Sequence, residues 1–175
     1  MTYLSELLSG LATTLELTVM SLLLGGILAL VFTWLLDRRI PVARQLVELF
    51  LVVFTGTPLL VQIFLIYYGP AQFEWVKQSC WWELLKEPWF CAILALGLNT
   101  AAYSTRLFKG ALDAVPYGEV LACKALGMTK GQTLNIKLRH AMRRAVPGYS
   151  NEVILVLKGS SLASTITIMD MMGIA

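Results

Sequence analysis

Charge is what this sequence has least of. Only 14% of its 175 residues are Asp, Glu, Lys or Arg, whereas an ordinary soluble domain carries about 25%. A soluble fold needs a polar shell, and with 57% hydrophobic residues there is too little polar surface to make one. Histidine is nearly absent, since His140 stands alone. The three cysteines, Cys80, Cys91 and Cys123, are widely spaced and form no C-x-x-C pair. Zinc, thioredoxin-like and haem-attachment sites are thereby disfavoured, and the cysteines read as unpaired apolar residues. The sequence has no G-x-x-x-x-G-K-[ST], no G-x-S-x-G and no H-E-x-x-H. No catalytic residue, metal ligand or cofactor site of its own is expected, and nothing points to nucleic acid. Between Met1 and Thr14 there is neither Lys nor Arg. A cleavable signal peptide needs a positive n-region, so the first apolar stretch is expected to stay in the mature protein.

What is present is apolar length. The mean hydropathy is +0.70, and four stretches approach the length, about 20 residues, that crosses a hydrocarbon core of about 30 Å. They are Leu17–Leu36, Leu46–Tyr68, Pro88–Thr105 and Tyr149–Thr167. The expected fold is an all-α integral membrane bundle, with the residues before Glu16 as an amphipathic lead-in on the membrane surface. Basic residues sort by side. The first and third connections together hold eleven Lys and Arg, and the second holds two, Lys77 and Lys86. The positive-inside rule makes the richer side cytoplasmic and the N-terminus periplasmic. Trp75, Trp81, Trp82 and Trp89 fall near the outer connection, where an aromatic belt is expected. No further span follows Met171–Ala175, which suggests a truncated chain.

Polar residues inside the spans are costly, so they should face protein or water. Glu48, Thr55 and Gln62 recur every seven residues, as do Asn151, Lys158 and Thr165, with Ser161 close by. Asn99, Tyr103 and Arg106 follow an i, i+4, i+7 pattern. These stripes suggest a bundle around a polar seam, with Glu48, Gln62, Asn99, Glu152, Lys158 and Ser161 as candidate pathway residues. Helix–helix glue is the alternative for Thr55, Thr165 and Ser161. Lys158 needs a partner from another helix, such as Glu48, or free carbonyls, because Glu152 lies about 120° away round its own helix. Ser21, Gly25 and Ala29 form a small-residue row that admits another helix closely. Pro58 should break span two within Thr55-Gly56-Thr57-Pro58, because it removes a backbone donor.

The connection 106–147 is the long one. Pro116-Tyr117-Gly118 signals a turn. A short helix is expected over Glu119–Leu126, stopped by Gly127, and a second is capped by Thr129 with Gln132 in a capping-box arrangement. Composition alone also allows a solvated connector beside anionic headgroups. His140 has no acid near it in sequence and reads as a surface residue.

These segments resemble the permeases of ABC importers for polar amino acids. Leu121-Ala122-Cys123-Lys124-Ala125-Leu126-Gly127-Met128 resembles their E-A-A-x-x-x-G loop, with Leu121 in the glutamate position and Cys123 in that of the second alanine. Thr55-Gly56-Thr57-Pro58-Leu59-Leu60-Val61-Gln62 resembles R-G-T-P-L-L-V-Q. Phe108-Lys109-Gly110 with Val115-Pro116-Tyr117-Gly118-Glu119 resembles F-R-G followed by V-P-x-G-Q. Asn151-Glu152 followed by Leu157-Lys158-Gly159-Ser160-Ser161-Leu162 resembles N-E followed by L-K-x-T-S-L. The runs 54–70 and 149–167 are most similar to the arginine-transporting members, and histidine, lysine, ornithine or glutamine are the alternative substrates. The resemblance implies one permease domain over 1–175 of the type I importer kind, with a fifth span not seen here. It makes Glu119, Leu121, Ala122, Cys123, Lys124, Gly127 and Met128 the ATPase-coupling element. It also implies a second permease subunit, two ATPase subunits that bind the ATP and magnesium, a periplasmic binding protein and surrounding lipid. An ion-gradient-driven transporter would need internal repeats, and none is visible.

Overall fold

A computed structural model describes residues 2–38 and 40–168; Arg39 and the terminal run 169–175 lie outside the described residues. The described chain is helical from end to end, without strands. The α-helices are α1 (Thr2–Asp37), α2 (Pro41–Gly56), α3 (Leu59–Tyr68), α4 (Glu74–Lys77), α5 (Trp82–Leu85), α6 (Pro88–Asp113), α7 (Tyr117–Ala125) and α8 (Lys130–Gly159). Short 3-10 helices cover Pro70–Gln72 and Ser160–Ile166.

The packing is inside out relative to a soluble bundle. On α1, Leu23, Ile27 and Leu30 are each about 60% exposed, while Thr18, Ser21 and Ala29 are buried. A helix in water would turn these faces round. In lipid the tails are as apolar as leucine, so helices associate through close packing of small residues instead. The Ser21, Gly25, Ala29 row meets α6 as its spacing predicts. A Cβ added at Gly25 would lie 2.7 Å from the Thr100 side chain and 2.8 Å from the Gly97 carbonyl oxygen. Buried alanines continue this contact along α6, at Ala92, Ala95, Ala101 and Ala102. Threonines inside these helices satisfy their own hydroxyls. Thr18, Thr33 and Thr105 each donate to the carbonyl four residues back, at 2.6 to 2.7 Å.

Several boundaries differ from the sequence reading. The stretch before Glu16 is no separate lead-in, because α1 runs unbroken from Thr2 with no proline to stop it. Span two is two helices, α2 and α3, bent by 108° at the break. Much of the connection 106–147 is helix, since α6 continues to Asp113 and α8 passes from its basic half into its apolar half through Pro147. Span four ends as a helix at Gly159, eight residues early. There Ser160, Ser161, Ser164 and Thr165 each donate to the carbonyl three residues back, at 2.6 to 2.8 Å. Those side-chain bonds compete with the α-helical ladder and accompany the tighter 3-10 coil.

By length and composition, Leu8–Asp37 is the one described helix apolar enough to cross a membrane by itself, and the α2–α3 pair passes if taken as one broken span. The other two expected spans coincide with α6 and with the C-terminal half of α8 plus its 3-10 coil.

Overpacking a close helix crossing costs about 1–3 kcal/mol. Gly25→Leu is therefore expected to lower the Tm of the purified protein in detergent by several degrees. Gly56→Ala, with nothing within 4 Å of the added carbon, should leave it unchanged.

Candidate functional site

The site is built on the break at Pro58. The proline ring disfavours helical backbone at the preceding residue, and Thr57 is extended at φ −110°, ψ 144°. The proline nitrogen also carries no hydrogen. In an unbroken helix the Phe54 carbonyl would accept from residue 58, so it is left without its helical donor. Two side chains take that place. Gln62 Nε2 donates to Phe54 O at 2.8 Å and also reaches Thr57 O at 3.0 Å and Thr57 Oγ1 at 2.8 Å. Asn99 Nδ2, from α6, donates to Phe54 O at 3.3 Å and to Gln62 Oε1 at 3.1 Å. One turn further along α6, Tyr103 OH donates to Thr55 O at 3.5 Å. Irregular backbone at membrane depth is tolerated where protein satisfies it, and here it does.

Asn99 and Tyr103 also line a cavity of about 230 Å³, with Leu59, Leu96, Thr100, Glu152, Leu155 and Val156. Glu152 comes from α8 and is buried, at 8% exposure, with no hydrogen bond or ion pair among the described residues. The Thr100 hydroxyl is buried and unpartnered as well. A carboxyl, an amide and a phenol thus come from α6 and α8 to the lining of one small space. Such a pocket is equipped to hold a cationic or hydrogen-bonding group.

Of the residues singled out in the sequence, the structure brings together Gln62, Asn99, Tyr103 and Glu152. It does not bring in Glu48, Lys158, Ser161 or Arg106. The bend removes Glu48 from the face of Gln62. Glu48 instead pairs with Arg44 at 2.7 Å on an exposed stretch of α2, and the hydrogen-bonded carboxylate raises the Arg44 pKa. Lys158 is therefore not paired with Glu48. It is exposed near the end of α8, as are Asn151 and Thr165, so this stripe lies on the outer surface of the chain. Ser161 Oγ donates to Lys158 O at 2.7 Å. Arg106 is exposed and lines a different cleft, with Arg44, Glu48, Lys109 and Asp113. Thr100 was missed because a threonine in an apolar helix ordinarily bonds its own backbone, and only the tertiary structure shows that this one does not.

The second feature is the helix pair α7–α8. Gly127 has φ +69°, the left-handed conformation that closes a helix. Met128 N–H donates to Cys123 O and Gly127 N–H to Lys124 O, each at 3.0 Å, the paired bonds of a Schellman motif. Thr129 then caps α8 in a capping box with Gln132, as the sequence predicts. Cys123 faces inward, while Leu121, Ala122, Lys124, Leu126 and Gly127 are exposed. Tyr117 and Leu126 are exposed at 70% and 79%. His140 is not the isolated surface residue expected, for its Nδ1 lies 3.3 Å from Oε1 of Glu119 on α7.

Comparison with known proteins now decides the family. Residues 21–175 match the model of the binding-protein-dependent transport system inner membrane component. The chain belongs to this family. It is 56% identical over 173 residues to the arginine ABC transporter permease protein ArtM of Haemophilus influenzae, covering 99% of this chain and 76% of that protein. The corresponding permease of Escherichia coli K12 is 55% identical over 172 residues, covering 98% of this chain and 78% of that one. A crystal structure of an amino acid ABC transporter with histidines superposes with a TM-score of 0.86 at 28% identity, over 98% of this chain and 77% of the other. The chain is thus an inner membrane permease component of an ABC importer, with the all-helical fold of that family, and the ion-gradient alternative falls away.

Leaving the Phe54 carbonyl without partners costs about 1–3 kcal/mol. Asn99→Leu with Gln62→Leu is expected to lower the unfolding midpoint accordingly. Adding Pro58→Ala returns a backbone N–H to that carbonyl and should recover part of the loss, so a thermal-unfolding double-mutant cycle should show coupling between position 58 and positions 62 and 99.

Proposed function

We propose that this permease carries a basic amino acid, arginine foremost, across the bacterial inner membrane, and that Glu152 meets the substrate's positive charge. The observation that carries this reading is the buried carboxyl of Glu152, which lines the cavity with Asn99 and Tyr103 and lacks a counter-charge among the described residues. Asn99 and Tyr103 supply hydrogen-bonding groups around it, and Gln62 holds Asn99 in place from behind. The relatives named for arginine transport support the same substrate. The exposed row Asn151, Lys158 and Thr165 then faces a second permease subunit, where Lys158 can approach a substrate carboxylate at the shared seam.

The helix pair α7–α8 is the docking element for an ATPase subunit. Tyr117, Leu121 and Leu126 stand exposed on a short helix, and apolar groups at such a surface want a partner. ATP and magnesium are bound by that ATPase, two copies of which serve the two permeases, and a periplasmic binding protein delivers the amino acid. ATP binding draws the docked elements together and rocks the permeases outward-open; hydrolysis resets them. Each step shifts the balance only through the different affinity of its ligand for the two states. The basic connections then lie in the cytoplasm and the N-terminus in the periplasm.

Removing one partner of a buried charge contact costs about 2 kcal/mol or more, which is roughly thirtyfold in affinity. Glu152→Gln is expected to weaken arginine uptake by that factor and to flatten competition between basic and neutral amino acids in vesicles. Unchanged uptake and selectivity would leave Glu152 a structural residue. Asp tolerates left-handed backbone better than most residues, so Gly127→Asp should keep the turn while placing a carboxylate at its tip. ATP hydrolysis by the assembled importer is then expected to lose its stimulation by loaded binding protein. Wild-type transport in this variant would remove the docking assignment.

A further inference from the structure

The docking element is attached to the bundle mainly at its ends. Cys123 is the one buried residue of α7. At the C-terminal end the chain turns through the exposed Gly127 into α8. Near the other end stands Glu119, eight residues away, or about 12 Å along the helix. Its contact with His140, Nδ1 to Oε1 at 3.3 Å, is the one polar side-chain contact, among the described residues, that joins an α7 side chain to α8. Arg144, one turn further along α8, donates to Ala114 O at 3.3 Å and anchors the end of α6 to the same helix. A turn at one end of α7 and a strut at the other make α7 and α8 move as one body.

α8 carries that motion inward. Glu152 lies twelve residues beyond His140 on the same helix, about 18 Å away. Without the strut, α7 can swing about Gly127 and leave α8 where it was. We propose that the Glu119–His140 contact is a positioning link that makes α8, and with it the Glu152 cavity, follow α7 when the ATPase moves it. A purely stabilising role fits less well. Both side chains are substantially exposed, at 41% for Glu119 and 30% for His140, and exposed pairs add little to folding. The inference rests on the reading of α7 as the ATPase-docking element.

The test uses the complete importer in lipid vesicles, with both permeases, both ATPases and the binding protein loaded with L-arginine. The readout is ATP hydrolysed per arginine imported. His140→Ala and Glu119→Ala are each expected to raise that ratio about fivefold or more, with the Tm and the amount of co-purified ATPase unchanged in His140→Ala. Glu119→Gln keeps the reach and a polar end to meet the ring and should stay within about twofold of the native ratio. Exchanging the two residues, Glu119→His with His140→Glu, should restore it. A native ratio in His140→Ala, or equal losses in Glu119→Ala and Glu119→Gln, would overturn the link. If the alanine variants fail to assemble, the exchanged pair decides: a native ratio upholds the link and a raised one overturns it. Gly127→Asp separates the two readings. A raised ratio there with a native ratio in His140→Ala sinks only the link, whereas native ratios in both sink the docking reading itself.

Discussion

One missing hydrogen organises the centre of this protein. Pro58 cannot donate to Phe54, and in a medium without water that carbonyl must find a donor within the protein. Gln62 and Asn99 supply it, and in doing so they pin α3 and α6 to the end of α2. The 108° bend between α2 and α3 leaves Leu59, at the start of α3, lining the cavity beside α6 and α8. The pocket is thus a by-product of repairing the backbone. The residue whose amide nitrogen completes the repair, Asn99, also lines the cavity.

Around this centre the bundle is held by fit. Small residues on α1 and α6 bring the two backbones together, and the large apolar side chains are turned outward to lipid. Polar groups inside are of two kinds. Most hydroxyls are spent on their own helices, as at Thr18, Thr33 and Thr105. Others are not: the hydroxyls of Ser21, Thr100 and Ser104 are buried without a partner. The carboxyl of Glu152 is the acidic group among the cavity's lining.

Local signals were legible in the sequence, and long-range ones were not. The break at Thr55–Pro58, the Gly127 turn, the Thr129 cap and the Ser21–Gly25–Ala29 contact each depend on residues within one helical turn or two, and each was read in place. The seven-residue stripe of Glu48 and Gln62 failed because a helical period has meaning only along an unbroken helix, and Pro58 lies between them. Lys158 was expected to seek Glu48 across the bundle, but Arg44 stands one turn from Glu48 and takes it at 2.7 Å. The Glu119–His140 contact joins residues 21 positions apart across a helix turn, a pairing that no periodicity announces.

The unequal hydropathy of the helices bears on how the chain reaches its membrane. Among the described residues, only α1 is by length and composition a membrane-crossing helix by itself. α6 carries Asn99, Thr100 and Ser104, and its most extensive packing partner is α1. A ribosome delivers the N-terminus first, so the self-sufficient helix is already embedded when the dependent one emerges. Synthesis order and the distribution of polarity along the chain are therefore matched: a circular permutant that opened with α6 would present a dependent segment before the surface that shelters it.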